Sequence, residues 1–361
     1  MTEGERGVLE SSRAALHPVW VGSGGRERDE GGGYREARRG GGAGGAGGGG
    51  SGGGRRRGAD QGGGGRTEPG RYPAADGFAP PARGRQPYPG LECSGTILAL
   101  GRSVVGSRWK IGDRVCALLS GGGYAEKVAV PAGQVLPVPE GVSLRDAASF
   151  PEVACTVWST IFMTSRLSPG ESLLLEYCFS GSRGSSGIGT FAIQIAKHLG
   201  IRVFVTAGSE EKLAACKNLG ADACFNYKTE DFVARVKEET GGKGVDVILD
   251  NVGASYLQRN LDSLNVDGRL FIIGLQGGRV TEVNLSCLLA RRLTIQAAGL
   301  RNRTPENKAI IVSEVEKHVW PAIAAGKVKP VIHKAFPLSE VVEAHRLMES
   351  SAHIGKILLI P

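Results

Sequence analysis

Gly187-Ile188-Gly189-Thr190-Phe191-Ala192 fits the spacing G-x-G-x-x-A, with Gly184 and Ser185 just before it. A phosphate can approach backbone N–H groups closely only where no Cβ stands in the way. The N-terminus of the helix that follows adds unpaired donors and a dipole worth ~0.3–2 kcal/mol toward an anion. Roughly twenty residues on, an NAD site carries an acid for the ribose hydroxyl. Here the strand "IRVFVTA" runs instead into Gly208-Ser209-Glu210-Glu211-Lys212. The strand end is small and neutral, and Ser209 and Lys212 can both donate to a 2′-phosphate. Such bonds contribute ~1.5–3 kcal/mol each, so the pattern points to NADPH. Another reading stays open, with Ser209 an N-cap and Lys212 a solvated helix residue. Glu210 and Glu211 complement the dipole as first-turn acids. Tyr227, in "FNYKTED", can stack near an adenine with its hydroxyl toward the phosphate, or be a partly exposed edge aromatic. Asn251, in "DNVG", and Gly274 and Leu275, in "GLQGG", lie at the ends of the next two strands, where ligands bind in parallel sheets.

The elements that must position these residues alternate. "SPGESLLLE" reads as turn and strand, Gly187–Leu199 as helix, "IRVFVTA" as strand and "SEEKLAACKNLG" as a helix closed by Gly220. "ACFNY", "VDVILDNVG", "RLFIIGLQ" and "LTIQAAGL" are further strands, with helices over "TEDFVARVKEETGG" and "ASYLQRNLDSLNVDG" between them. This alternation indicates an α/β fold, a Rossmann doubly wound parallel sheet with right-handed crossovers. Before it, residues 87–140 read as β-rich, with short strands in "LECSGTILAL", "DRVCALL" and "GGGYAEKVAV". Ser143 reads as the N-cap of one helix running past Phe150 and Trp158. The last sixty residues read as helix (307–325), extended segment (331–336), helix (339–350) and a closing strand in "GKILL". That strand is expected to return to the β domain of residues 87–140. The expected boundaries are 87–155 plus 301–361 for the β domain and 156–300 for the nucleotide domain.

Residues 1–86 differ in kind. The glycine-rich stretch to residue 70 has almost no apolar pattern and is expected to be disordered, because burial there cannot offset ~1–2 kcal/mol of backbone entropy per residue. The segment reads as low-complexity and disordered, or as an aberrant N-terminus. Eleven arginines up to residue 68 are diluted by nine acids, so a solvated tail is favoured over RNA binding through Arg-Gly clusters such as Arg55-Arg56-Arg57. The net charge of +8 is spread thinly and does not by itself imply nucleic acid. Seven cysteines without C-x-x-C or zinc spacing suggest reduced thiols and a cytoplasmic protein. No run of eighteen apolar residues predicts a membrane span.

The stretches "GLECSGTI", "WKIGDRVCALLSGGGYAEKVAVP", "GSSGIGTFAIQIAK", "TAGSEEKLAACKNLGADACFNYKTEDF", "GVDVILDNVGASY", "GRLFIIGLQGG" and "AHRLMESSAHIGKILL" resemble the quinone oxidoreductase branch of the medium-chain dehydrogenase/reductase superfamily. More narrowly, they are similar to its NADPH-dependent, tumour-suppressor-inducible type. The resemblance covers residues 87–361 almost without gaps. It implies a GroES-like β domain, truncated at its N-terminus, beside the Rossmann domain, with NADPH in the cleft between them. It also implies zinc-independent hydride transfer to quinones, and a homodimer with "RLFIIGLQGG" as the edge segment. Gly184, Gly187, Ile188 and Gly189 match the family's phosphate loop, and Ser209, Lys212 and Tyr227 its 2′-phosphate group. Gly274 and Leu275 match the nicotinamide side and Lys356 a C-terminal cofactor contact. Tyr72, in "GRYP", matches the active-site tyrosine. The family's nicotinamide-facing asparagine has no counterpart, because the first asparagine of the chain is Asn218. About six surplus residues stand within Glu176–Arg183, between strand and glycine turn. Two alternatives accompany quinone reduction. One is an enone or alkenal reductase on the same fold; the other is an NADPH-binding, RNA-binding variant of impaired activity.

Overall fold

The computed structural model describes residues 19–22, 88–176 and 186–361. A first sheet contains β1 (Val19–Gly22), β2 (Glu92–Leu100), β3 (Arg114–Leu118), β4 (Val128–Pro131) and β5 (Val135–Pro137), in the spatial order β4-β1-β2-β3-β5. β2, β3 and β5 pair antiparallel, whereas β1 runs parallel to both β2 and β4. The expectation of disorder throughout residues 1–70 therefore does not hold at Val19–Gly22. Val-Trp-Val favours extended backbone, and the edges of β2 and β4 supply its hydrogen-bond partners. The sheet's core is a cluster of Cys93, Ile97, Val115, Ala117, Val130 and Val135 capped by Val104 and Trp109.

Ser143 does act as an N-cap, accepting from Asp146 N at 3.0 Å. The single helix expected after it is divided into α1 (Leu144–Ala147) and α2 (Pro151–Val157), the latter widening into a π-helical turn over Trp158–Thr164. Pro151 explains the break, since it has no N–H to donate and favours a first helical position.

The second sheet holds β6 (Ser172–Glu176), β7 (Arg202–Ala207), β8 (Ala223–Asn226), β9 (Val245–Asp250), β10 (Leu264–Ile272) and β11 (Thr294–Ala297). Its order is β11-β10-β9-β6-β7-β8, parallel throughout. Leu173, Leu174, Val203, Phe204, Val247 and Ile248 are wholly buried, as strands covered on both faces require. The connecting helices are α3 (Ser186–His198), α4 (Glu210–Asn218), α5 (Phe232–Glu239), α6 (Leu257–Ser263) and α7 (Leu285–Arg291). The helix expected to reach Gly268 stops at Ser263. The segment from Leu264 joins β10 through an irregularity, with Asp267 at φ 60°. "RLFIIGLQGG" is not an edge either: Arg269–Ile272 pair with β9 on one side and β11 on the other. The edge strand on that side is β11, whose four residues are exposed.

The chain closes with α8 (Pro305–His318), α9 (Trp320–Ala324), β12 (Ile332–Pro337), α10 (Val341–Glu349) and β13 (Lys356–Ile360). β13 does not join the sheet of residues 87–140; it pairs in parallel with β12 as a separate two-stranded sheet. Gly355, at φ 92°, turns the chain so that Lys356 N meets Val331 O at 2.7 Å. The C-terminal region still locks onto the rest of the molecule. Trp320 donates its indole N–H to Pro137 O at 2.7 Å. Phe150 stands edge-on to both Phe191 and Trp320, each pair of ring centroids 6.4 Å apart.

Candidate active site between strand ends and the C-terminal strand

The order of the second sheet reverses between β6 and β9, so their connections leave in opposite directions and open a crevice at the strands' carboxyl ends. The walls of that crevice are Leu175 and Glu176 from β6, Ile188 and Gly189 from α3, Leu249 and Asn251 from β9 and its following turn, and Ile273 after β10. The glycine motif and Asn251 thus come together as the sequence predicts. Gly184, Ser185 and Tyr72 lie outside the described residues. Glu176, expected to begin the surplus segment, is instead the last strand residue, in register with Thr206.

Several glycines form cradles that a Cβ would fill. At Gly187 it would collide with the aliphatic stem of Lys356, at Gly208 with the Tyr227 hydroxyl, and at Gly274 with the Asn251 side chain. The sequence-selected residues are therefore packed against one another in pairs. Asn251 lies over Gly274, and Leu275, about half exposed, lies against Gly253. The turns after β9 and β10 are also cross-bonded: Gly277 N donates to Val252 O at 2.6 Å, and Ser255 N to Gly277 O at 3.2 Å.

Ser209 caps α4, accepting from Lys212 N at 3.5 Å. Its own hydroxyl proton remains available to a ligand, so the cap and a phosphate contact are compatible. Lys212 is half-buried, and Tyr227 meets Tyr256 edge-on at 6.2 Å. Lys228 was missed at the sequence level. Its Cε lies 3.0 Å from the position a Cβ would take at Gly208, beside the end of β7. Its signal was its place directly after Tyr227. Glu210 binds the Asn226 amide at 2.9 Å, which ties α4 to β8.

Lys356 does not stand free toward the crevice. Its ammonium forms an ion pair with Glu92 on β2. The other Glu92 oxygen accepts from Glu152 N at 2.9 Å, at the start of α2. Burial raises the Glu92 pKa more than Lys356 lowers it. Burial also acts to depress the Lys356 ammonium, but Glu92 and Glu152 outweigh it and hold the pKa above the usual lysine value. Tyr124, from the "GGGY" turn, sits near this pair and meets His345 Nε2 at 3.3 Å; burial pushes its phenol upward. Neither Glu92 nor Tyr124 carried a motif that would single it out.

The arrangement offers backbone donors and a helix N-terminus for a diphosphate. It also offers lysines, a serine and a tyrosine at one strand end for a further phosphate, and a half-buried ion pair joining the crevice to the first sheet. Among the described residues no three His, Cys, Asp or Glu side chains gather as a metal site, and no helix is long and apolar enough to cross a membrane.

Comparison with known proteins agrees with this geometry. Residues 69–140 match the alcohol dehydrogenase GroES-like domain, and residues 187–315 the family described as zinc-binding dehydrogenase. Quinone oxidoreductase of Rattus norvegicus is 32% identical over 281 residues, covering 76% of this chain and 80% of that protein. The 2-haloacrylate reductase of a Burkholderia species is 31% identical over 277 residues, 75% of this chain and 80% of the reductase. Squalestatin tetraketide synthase of a Phoma species is 30% identical, and there the chain spans only 10% of the relative's length. The crystal structure of Escherichia coli quinone oxidoreductase complexed with NADPH superposes with a TM-score of 0.67 at 31% identity, covering 79% of this chain and 85% of that one. With a parallel nucleotide-type sheet, a GroES-like sheet beside it and a quinone oxidoreductase matched over 80% of its length, the chain belongs to the quinone oxidoreductase-like, zinc-independent branch of the medium-chain dehydrogenase/reductase superfamily.

Proposed function

We propose that the protein is an NADPH-dependent reductase that delivers hydride to quinones. The observation that carries this reading is the strand end at Gly208. No acid occupies it; Tyr227 and Lys228 fill the space its missing side chain leaves, and Ser209 and Lys212 follow at the start of α4. An extra phosphate is favoured there by the charge and donors of these groups. Gly187, Ile188 and Gly189, with Gly184 and Ser185 before them, are the diphosphate-binding residues in this reading. Gly274 and Leu275 flank the nicotinamide end, with Asn251 packed on Gly274, and Lys356, its stem against Gly187, is the C-terminal cofactor contact. A reduced nicotinamide bound there supplies the hydride.

The chain's own contribution is orientation and exclusion of water. Leu175, Leu249 and Ile273 give the crevice an apolar floor. The cross-bonded turns hold Asn251 and Gly274 at fixed separation. A quinone needs little acid catalysis, because its reduced anion is stabilised by its own ring; Tyr72 is the donor assigned to it by resemblance. The second reading, reduction of an activated carbon–carbon double bond, is favoured by the match to 2-haloacrylate reductase, whose named substrate carries such a bond. We further read the protein as a cytoplasmic homodimer. The free cysteines among the described residues and the exposed edge strand β11, beside exposed Leu285 and Leu289, support this.

Purified protein supplied with NADPH or NADH and either 1,4-naphthoquinone or an alkenal tests these readings together. Faster oxidation of NADPH with the quinone is expected. Equal rates with both nucleotides would refute the phosphate assignment, and turnover of the alkenal alone would favour the second reading.

A further inference from the structure

Lys356 brings a positive charge to the N-terminal end of α3, where the helix dipole favours the opposite sign. Its stem fills the space above Gly187, with Cγ 3.2 Å and Cε 3.6 Å from the position a Cβ would take. The ammonium, one bond further on, is held there by Glu92. Glu92 itself is fixed twice over. Its backbone lies opposite Leu118 in the ladder between β2 and β3, and its Oε2 accepts from Glu152 N at 2.9 Å. Glu152, the other carboxylate near the ammonium, is tied to its own helix, its Oε1 accepting from the Thr156 hydroxyl at 2.9 Å. The Glu92 carboxylate is therefore the rigid member of the half-buried pair, and the ammonium, at the end of a flexible stem, the mobile one.

We propose that Glu92 competes with the diphosphate for the Lys356 ammonium, a positioning residue that lowers the affinity of the site for either nicotinamide nucleotide. The inference rests on the reading of the glycine turn as a dinucleotide site. The stem stays packed on Gly187 while the ammonium turns about its last bonds, from the carboxylate toward a phosphate oxygen. The diphosphate gains a charge-assisted hydrogen bond, but only after the bond to Glu92 is given up. Glu92 keeps its donor at Glu152 N throughout, and no proton needs to move. The exchange concerns the part that NADPH and NADH share, so Glu92 acts on both alike, unlike Lys212 and Lys228 beside the end of β7. A reductase must release its oxidised nucleotide in every turnover, and a cation already compensated in the free protein favours that release.

Calorimetric titration of NADPH and of NADH into the full chain, Glu92→Gln, Lys356→Met and the double variant tests this. Glutamine keeps an acceptor for Glu152 N and removes the charge. Glu92→Gln is expected to bind both nucleotides about tenfold more tightly, a gain that shrinks with added salt because the released charge is partly exposed. In the Lys356→Met background most of that gain is expected to disappear. A carboxylate that only supported the fold would, on removal, weaken binding in both backgrounds. That result overturns the proposal while leaving the cofactor reading intact, as does an unchanged affinity of Glu92→Gln or a gain confined to NADPH. A gain of the same size without the ammonium means that Glu92 repels the diphosphate directly, and also overturns it. Absence of binding of either nucleotide by the wild type overturns both readings. Should Glu92→Gln not fold, Glu92→Asp draws the charge back by one methylene. Tighter binding that depends on Lys356 is again expected, and its absence overturns the proposal.

Discussion

Replacing Lys356 by methionine separates the ion pair from the packing beneath it. Methionine keeps an unbranched stem against Gly187, so the cradle there stays filled, and only the ammonium is lost. Glu92 is then left half-buried with Glu152 N as its hydrogen-bond donor. Stranding one member of a buried pair costs ~3–5 kcal/mol when the remaining group must stay charged. Glu92 need not stay charged, because burial already raises its pKa with Lys356 present. Without the cation it rises further, so the protonated carboxyl is favoured in the folded state over the unfolded one. A folded-state pKa above the unfolded value means stability that is present at low pH and lost as pH rises. One proton gives at most ~1.4 kcal/mol per pH unit, or about 4 kcal/mol between pH 5 and 8. Lys356→Met is thus expected within ~1–1.5 kcal/mol of wild type at pH 5, the value of a lost hydrogen bond. At pH 8 the deficit is larger, by no more than that one-proton limit, and Tm falls accordingly. Urea unfolding of wild type, Lys356→Met, Glu92→Gln and the double variant at pH 5, 6.5 and 8 reads this directly. The double variant is expected to recover most of the loss at pH 8, since replacing both members of such a pair is close to neutral. A deficit of the same size at pH 5 and pH 8, or a double variant less stable than either single one, refutes the reasoning.

Other expectations concern the phosphate pocket and the seam between the sheets. Lys212→Ala and Lys228→Ala should each weaken NADPH binding by ~10- to 100-fold and leave NADH binding nearly unchanged, as calorimetry with the two nucleotides would show. Ser209→Asp keeps the α4 cap and should preserve Tm while shifting preference toward NADH. Ser209→Ala should instead lose ~1 kcal/mol of stability, so the pair of variants divides the residue's two roles. Gly208→Val drives a side chain into the Tyr227 hydroxyl and Lys228; NADPH affinity should drop more than NADH affinity, and an equal drop would mean the pocket lies elsewhere. Trp320→Phe removes the indole bond to Pro137 O and should cost ~1–2 kcal/mol, measured by urea unfolding at pH 7.

Elements with strong local signals were legible. The unbroken apolar runs at Leu173–Leu175 and Val247–Leu249 could only be strands buried on both faces, and the glycines ahead of an apolar-patterned helix fixed where a phosphate could approach. Illegible were features decided by distant partners. "LNVDG" looked helical because it continues an amphipathic pattern, and only pairing with β9 draws it into a strand. α7 leaves no clear stripe in the sequence because none of its residues is fully buried, only Cys287 and Leu288 packing against the core. The destination of β13 was misjudged for a related reason: its apolar content shows that it must pair, but not with which strand. Of the site, Ile188, Gly189 and Asn251 line one crevice, whereas Gly184 and Ser185 lie outside the described residues. Glu92, Tyr124 and Lys228 enter through the tertiary fold, and their types alone carry no sign of it.

The bonds between the turns after β9 and β10 bear on how one rim of the crevice moves. Two segments far apart along the chain are stitched backbone to backbone, so neither can open alone without breaking the other's bonds. Hydrogen exchange at Ser255 and Gly277 should accordingly proceed through a shared opening event, and a substitution in either segment should loosen both amides together. That rim behaves as a stiff jaw, leaving adjustment to a bound molecule to the opposite side, where the glycine turn meets the C-terminal strand.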